Sequence, residues 1–181
     1  MFRNGMFVLC TALISSLAFS DVFTLKSTAM RNNGTISLPQ VYNSFGCTGK
    51  NISPDLQWSG APKNTKAYAI TMYDPDAPTG SGWWHWVVFN IPANTTHLNA
   101  GAASHGGTMP AGSVQGKTDF GTPGYGGPCP PPGAPHHYIF KVYALKAPLE
   151  LKADASPAMV GFNLNAHKLA EATLMATYER K

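Results

Sequence analysis

Two aspartates, Asp74 and Asp76, share the proline-rich turn Asp74-Pro-Asp-Ala-Pro78, and His85 follows eleven positions later among Trp83, Trp84 and Trp86. A turn of this kind brings alternate residues to one side, and proline restricts the backbone freedom that would blur their placement. A histidine among aromatic rings needs partners for both ring nitrogens. Together these residues are the makings of a small polar pocket with an apolar rim. A second polar group, His136-His137-Tyr138, enters a strand-like run directly after a glycine- and proline-rich stretch. If the two groups converge, they offer histidine donors to an anion, with carboxylates orienting the rings and fixing their tautomers.

Other chemistries find less support. Two histidines and two aspartates are plausible zinc ligands, but no close-spaced ligand pair makes a metal motif, so no native metal or cofactor is expected. Ser81 stands between Gly80 and Gly82, yet Thr79 occupies the place where a nucleophile elbow needs glycine, and Ser81 reads as a turn residue. His97, His105 and His167 have no partner suggested by spacing and read as surface. The tryptophans read as core or pocket wall, because a stacking platform for nucleic acid would need a basic groove beside it.

These residues must be positioned by the rest of the chain. Residues 1–20 carry Arg3 ahead of an apolar run that closes on Ala18-Phe19-Ser20, the pattern of a secretory signal peptide cut before Asp21. That run is too short for a bilayer-spanning helix. The expectation is therefore a periplasmic or secreted protein with no integral membrane segment after cleavage. The remaining 161 of 181 residues fit one domain, 21–181. Without Arg3 the chain holds 12 basic and 9 acidic residues, so its net charge is 12 − 9 = +3. The bases are scattered from Lys26 to Lys181, which argues against a nucleic-acid partner. Cys47 and Cys129 lie in glycine-rich loops of a chain read as exported, and a disulfide between them is expected.

Strand-like runs cover Val22–Thr28, Thr35–Pro39, Ala67–Tyr73, Val87–Ile91 and His136–Leu145, and Leu56–Trp58 is a short apolar piece at the end of a loop. The tail Ala170–Tyr178 is read as a strand. Ser156-Pro157 supplies a cap and a first-turn proline for a helix that runs through Met159, Val160, Phe162 and Leu164. No regular element fits residues 93–135, and eleven of the eighteen positions from Gly116 to Gly133 are glycine or proline. A loop so long binds something, or covers an edge and is pinned by Cys129. Parallel α/β architecture needs helical crossovers that this chain lacks. A mostly antiparallel β-sandwich with one or two short peripheral helices follows.

Asp74-Pro-Asp-Ala-Pro78, Trp84-His-Trp-Val-Val-Phe-Asn90, Gly116-Lys-Thr-Asp-Phe-Gly121 and Pro135-His-His-Tyr138, in that order, closely resemble the phosphatidylethanolamine-binding protein family, and within it the exported bacterial Raf-kinase-inhibitor-like branch. The resemblance extends over residues 22–181 and implies a β-sandwich of antiparallel sheets with a small anion pocket for phosphate or phosphorylated head groups. By position it implies Asp74, His85 and His136 at that pocket, Asp76, Pro78 and Tyr138 in its walls, and Gly116 in a neighbouring loop. His137 stands where many eukaryotic relatives carry arginine, and Thr118 where asparagine is common in bacterial relatives. Homodimers recur among the bacterial relatives, which opens that arrangement to this chain. The expected function is non-enzymatic binding of a small phosphate-like anion. The alternative is a protein partner, with the chain inhibiting or signalling to a protease, a kinase or a host component. Hydrolysis by the histidine and aspartate cluster lacks both a nucleophile and a metal motif.

Overall fold

The computed structural model describes residues 22–181, so the expected signal peptide lies outside the described residues. Nine strands and one α-helix follow in chain order. They are β1 (Thr24–Lys26), β2 (Gly34–Thr35), β3 (Leu56–Ser59), β4 (Ala67–Asp74), β5 (Trp83–Pro92), β6 (His97–Leu98), β7 (Val114–Gln115), β8 (His136–Leu145), α1 (Pro157–His167) and β9 (Lys168–Tyr178). They make two sheets: a small one, β1-β3-β6, and a large one, β2-β9-β8-β4-β5-β7. Neighbours pair antiparallel except β2 and β9, which run parallel. The mostly antiparallel sandwich with one peripheral helix is thus the observed architecture.

The central strands explain themselves chemically. Tyr68, Ile70 and Met72 of β4, Trp86 and Val88 of β5, and Tyr138, Phe140 and Val142 of β8 share one face. They pack against Leu25, Leu56, Trp58 and Leu98 of the small sheet. The intervening residues Ala69, Val87, Phe89, Tyr143 and Leu145 face the other way and are covered by Val160 and Leu164 of α1 and by Leu149. A strand buried on both faces reads as a continuous apolar run, which is what 67–73 and 87–91 display. Ser156 caps α1, its hydroxyl accepting the Met159 N–H at 3.2 Å, with Pro157 in the first turn.

Several expected boundaries move. The first strand shrinks to Thr24–Lys26, and the expected strand at 35–39 becomes a two-residue pairing followed by a 3-10 turn at Leu38–Gln40. Pro39 lacks the N–H that a continued ladder needs, and its ring fits the first turn of a helix. β5 begins at Trp83, four residues before the expected Val87, because Trp83 and Trp84 still pair with Asp74 and Tyr73. Residues 93–135 are not wholly irregular, since β6 and β7 each add two residues to a sheet edge. The rest of that stretch is anchored by the Cys47–Cys129 disulfide, whose ends are 82 positions apart.

Candidate functional site

The face of the large sheet that packs into the sandwich continues to its end as Tyr68, Ile70, Met72 and Asp74 on β4 and as Val142, Phe140, Tyr138 and His136 on β8. Strand alternation therefore aims Asp74, Tyr138 and His136 at the open end of the core. His85 arrives by a different device. Met72 pairs with Trp86 and Tyr73 with Trp84, which leaves His85 as the extra residue of a β-bulge on β5. A bulge re-aims the side chain it carries, and this one delivers the imidazole to Asp74.

Asp74 is almost fully buried. Its Oδ1 accepts the Asp76 N–H at 2.8 Å, closing a local turn, and its Oδ2 accepts the His136 Nδ1–H at 2.8 Å. His85 Nε2 stands 4.0 Å from the same Oδ2, beyond hydrogen-bond reach. The other ring nitrogen of His85 is engaged from behind, Nδ1–H donating to the Gly126 carbonyl at 2.7 Å. The Tyr138 ring meets His85 edge-on at 5.1 Å and Phe120 does so at 5.4 Å. Burial lowers the His85 pKa to about 4, against the upward pull of the Gly126 carbonyl and of Asp74. Burial and then the Asp74 charge push the Tyr138 phenol up. Neither His85 Nε2 nor the Tyr138 hydroxyl has a hydrogen-bond partner among the described residues.

A cavity of about 150 Å³ opens in front of this group, with Asp74, His85, His136 and Tyr138 on its polar side. Pro78, Trp83, Phe120 and Pro130 stand on its apolar side, and Cys129 of the disulfide also reaches it. Drug-sized ligands occupy sites of roughly 300 Å³ or more, so this one holds a small group only. No three His, Cys, Asp or Glu side chains among the described residues gather as metal ligands. No helix among them is long and apolar enough to cross a membrane.

Of the expected site residues, Asp74, Pro78, His85, His136 and Tyr138 line the cavity, while Asp76 and Gly116 do not. Asp76 turns outward to His137, its Oδ2 accepting both the backbone N–H and the ring Nδ1–H at 2.7 Å. Partial burial alone would raise the Asp76 pKa, but these donors bring it below the usual value. Gly116 sits behind β5, its N–H bonded to the Val87 carbonyl at 2.8 Å, with the Val87 side chain close to where a Cβ would stand. His85 also departs from the expected donor role: with Nδ1–H committed to Gly126, the neutral ring has only a lone pair at Nε2, on the side of Asp74.

Sequence reasoning missed the supports of this arrangement. Asn51 donates to the Tyr125 carbonyl at 3.2 Å and accepts the Gly127 N–H at 2.7 Å. It thereby fixes the segment that presents the Gly126 carbonyl. Phe45, 65% exposed, stacks at 6.0 Å on Phe120 at the rim. Arg180 donates to the Phe45 carbonyl at 2.9 Å, and its guanidinium lies 3.5 Å from the sulfur of Cys129.

The family described as phosphatidylethanolamine-binding protein matches residues 26–179. The chain is 49% identical over 173 residues to the protein YbcL of Escherichia coli strain K12, covering 94% of each. It is 48% identical over 155 residues to YbhB of the same organism, covering 85% of this chain and 98% of that one. The crystal structure of E. coli YbcL, described as a new member of the mammalian PEBP family, superposes with a TM-score of 0.85 at 50% identity, covering 88% of this chain and 99% of that one.

Proposed function

The chain belongs to the phosphatidylethanolamine-binding protein family, and from that premise we propose that it is a non-enzymatic binding protein whose cavity at Asp74, His85, His136 and Tyr138 takes a phosphate-like anion. The observation that carries this reading is the pair of unpartnered buried polar atoms, His85 Nε2 and the Tyr138 hydroxyl, at a cavity of about 150 Å³. A protein rarely leaves buried polar atoms unpaired, since each costs about 1–3 kcal/mol, and a small polar ligand relieves both. The volume suits a phosphoryl group and leaves the rest of a larger molecule outside, over the aromatic rim. Binding is favoured over catalysis because, among the described residues, no hydroxyl or thiol nucleophile is paired with a base at the cavity. Cys129, which reaches it, is held in the disulfide.

We also propose that the mature protein works outside the cytoplasm. A disulfide joining glycine-rich loops persists in an oxidising compartment, in keeping with the leader-like residues 1–20. The intact mass of the protein recovered from fractionated cells tests this, because a retained leader in the cytoplasmic fraction overturns it.

Titration calorimetry with inorganic phosphate and phosphoethanolamine tests the anion reading. Wild type binds, and His85→Ala and Asp74→Ala lose at least about tenfold in affinity with their circular dichroism unchanged. No heat with wild type refutes it.

A further inference from the structure

The two unpartnered atoms of the cavity have opposite hydrogen-bonding character. Nδ1 of His85 gives its hydrogen to the Gly126 carbonyl at 2.7 Å, so Nε2 of the neutral ring has only a lone pair to offer. The Tyr138 phenol, protonated and completely buried, has a hydrogen to give. Asp74, the neighbouring charge, is another acceptor, with Oδ1 on the Asp76 N–H and Oδ2 on His136. A fitting ligand must accept from Tyr138 and donate to His85.

Three classes of small ligand can be compared against that demand. Sulfate has acceptors alone, so it satisfies Tyr138 but sets an oxygen lone pair against His85 Nε2 in a site that already holds a carboxylate. An ammonium group has donors alone and leaves the Tyr138 hydrogen without an acceptor. A phosphoryl group with one remaining P–OH satisfies both, its hydroxyl donating to His85 and a bare oxygen accepting from Tyr138. Phosphate monoesters retain such a proton in part near neutral pH, their second ionisation lying at about 6. Phosphodiesters have none to keep.

We propose that the cavity selects phosphorus oxyanions that carry a hydroxyl proton, namely inorganic hydrogenphosphate and the terminal group of phosphomonoesters, and rejects sulfate and phosphodiesters. This rests on the anion-binding reading above and narrows its ligand class. An intact diester phospholipid head group is accordingly a poor occupant, whereas its phosphomonoester fragment is a good one. The charged or titratable groups facing His85 are Asp74 from β4 and His136 and Tyr138 from β8. The loop behind it contributes the Gly126 carbonyl and the Phe120 ring, neither of which ionises.

Calorimetry at pH 6.5 with phosphate, sulfate, phosphoethanolamine and glycerophosphoethanolamine, a soluble diester, tests the selection. Phosphate and phosphoethanolamine bind at least about tenfold more tightly than sulfate and the diester, the scale set by one unmade buried hydrogen bond. His85→Gln, whose amide can turn a donor to the cavity, reduces the phosphate-to-sulfate ratio to within about threefold. Tyr138→Phe weakens both anions and preserves their ratio, which keeps the test informative if the first variant folds poorly. Sulfate within threefold of phosphate on wild type, or a diester equal to the monoester, overturns the selection and leaves the anion site standing. Absence of binding by all four removes the anion site and the selection with it.

Discussion

Acid should weaken this fold through His85 alone by an amount that can be worked out beforehand. In the unfolded chain a histidine takes up a proton as pH falls through about 6.5, whereas in the native protein burial delays that step to about 4. Between those values the unfolded state binds more protons, so stability falls as pH falls, by about 1.4 kcal/mol per pH unit. The window spans roughly two and a half units, and His85 therefore removes about 3 kcal/mol from stability between pH 6.5 and pH 4. Above pH 6.5 it contributes no slope, and below pH 4 the loss is complete. Urea unfolding followed by tryptophan fluorescence at pH 7.5, 5.5 and 4.5 measures this, with His85→Gln as the non-titrating reference. The other histidines and the carboxylates are common to both proteins and cancel in the difference. Between pH 7.5 and pH 4.5 the free-energy gap between the two should shrink by about 2.5 kcal/mol, because most of the window is crossed and the wild type loses stability that the variant never had. Parallel curves across the window would refute the buried, neutral imidazole.

Two further substitutions probe how the cavity is supported. Replacing Cys47 and Cys129 together by serine reopens a loop closed across 82 positions and should lower unfolding stability by about 4 kcal/mol on the chain-entropy estimate, measured by urea denaturation. Gly126→Ala places a methyl group against the Phe120 ring. It should cost about 1–3 kcal/mol by overpacking and, by shifting the carbonyl that fixes the His85 tautomer, reduce phosphate affinity in the same calorimetric assay.

The sheet was legible in the sequence where strands are buried on both faces. Ala67–Tyr73 and Val87–Ile91 are dense in β-branched and aromatic residues because both of their faces are covered, whereas the first half of His136–Leu145 alternates, with Tyr138 and Phe140 buried and His137 exposed. The two-residue strands β2, β6 and β7 carry no such signal, since each is held by a neighbour's backbone. The site divides the same way. Asp74, His85 and His136 announce themselves by type and by the turn or strand that bears them, although 62 positions separate Asp74 from His136. The direction in which His85 presents its proton was hidden, because it depends on a backbone carbonyl at Gly126, and a carbonyl has no sequence signature. Asn51 and Phe120 were hidden for a related reason: each acts through a long-range contact that local pattern does not encode. Asp76 misled for the opposite reason, its nearness to Asp74 in sequence concealing that it faces His137 outside the cavity.

The strand order β2-β9-β8-β4-β5-β7 also fixes when the cavity can exist. β4 finds its hairpin partner β5 early, but its other edge waits for β8, and β8 in turn waits for β9, the final eleven-residue strand. Pairings of such sequence separation make folding slow, in the range of milliseconds to seconds. Until the last strand docks, β8 leaves an open edge on the apolar β8-β4-β5 ribbon, the kind of surface that pairs with other chains. A nascent chain that stalls before Lys168 therefore holds Asp74 and His85 beside one another in a species prone to aggregate, and loss of the C-terminal strand should register as insolubility before it registers as weak binding.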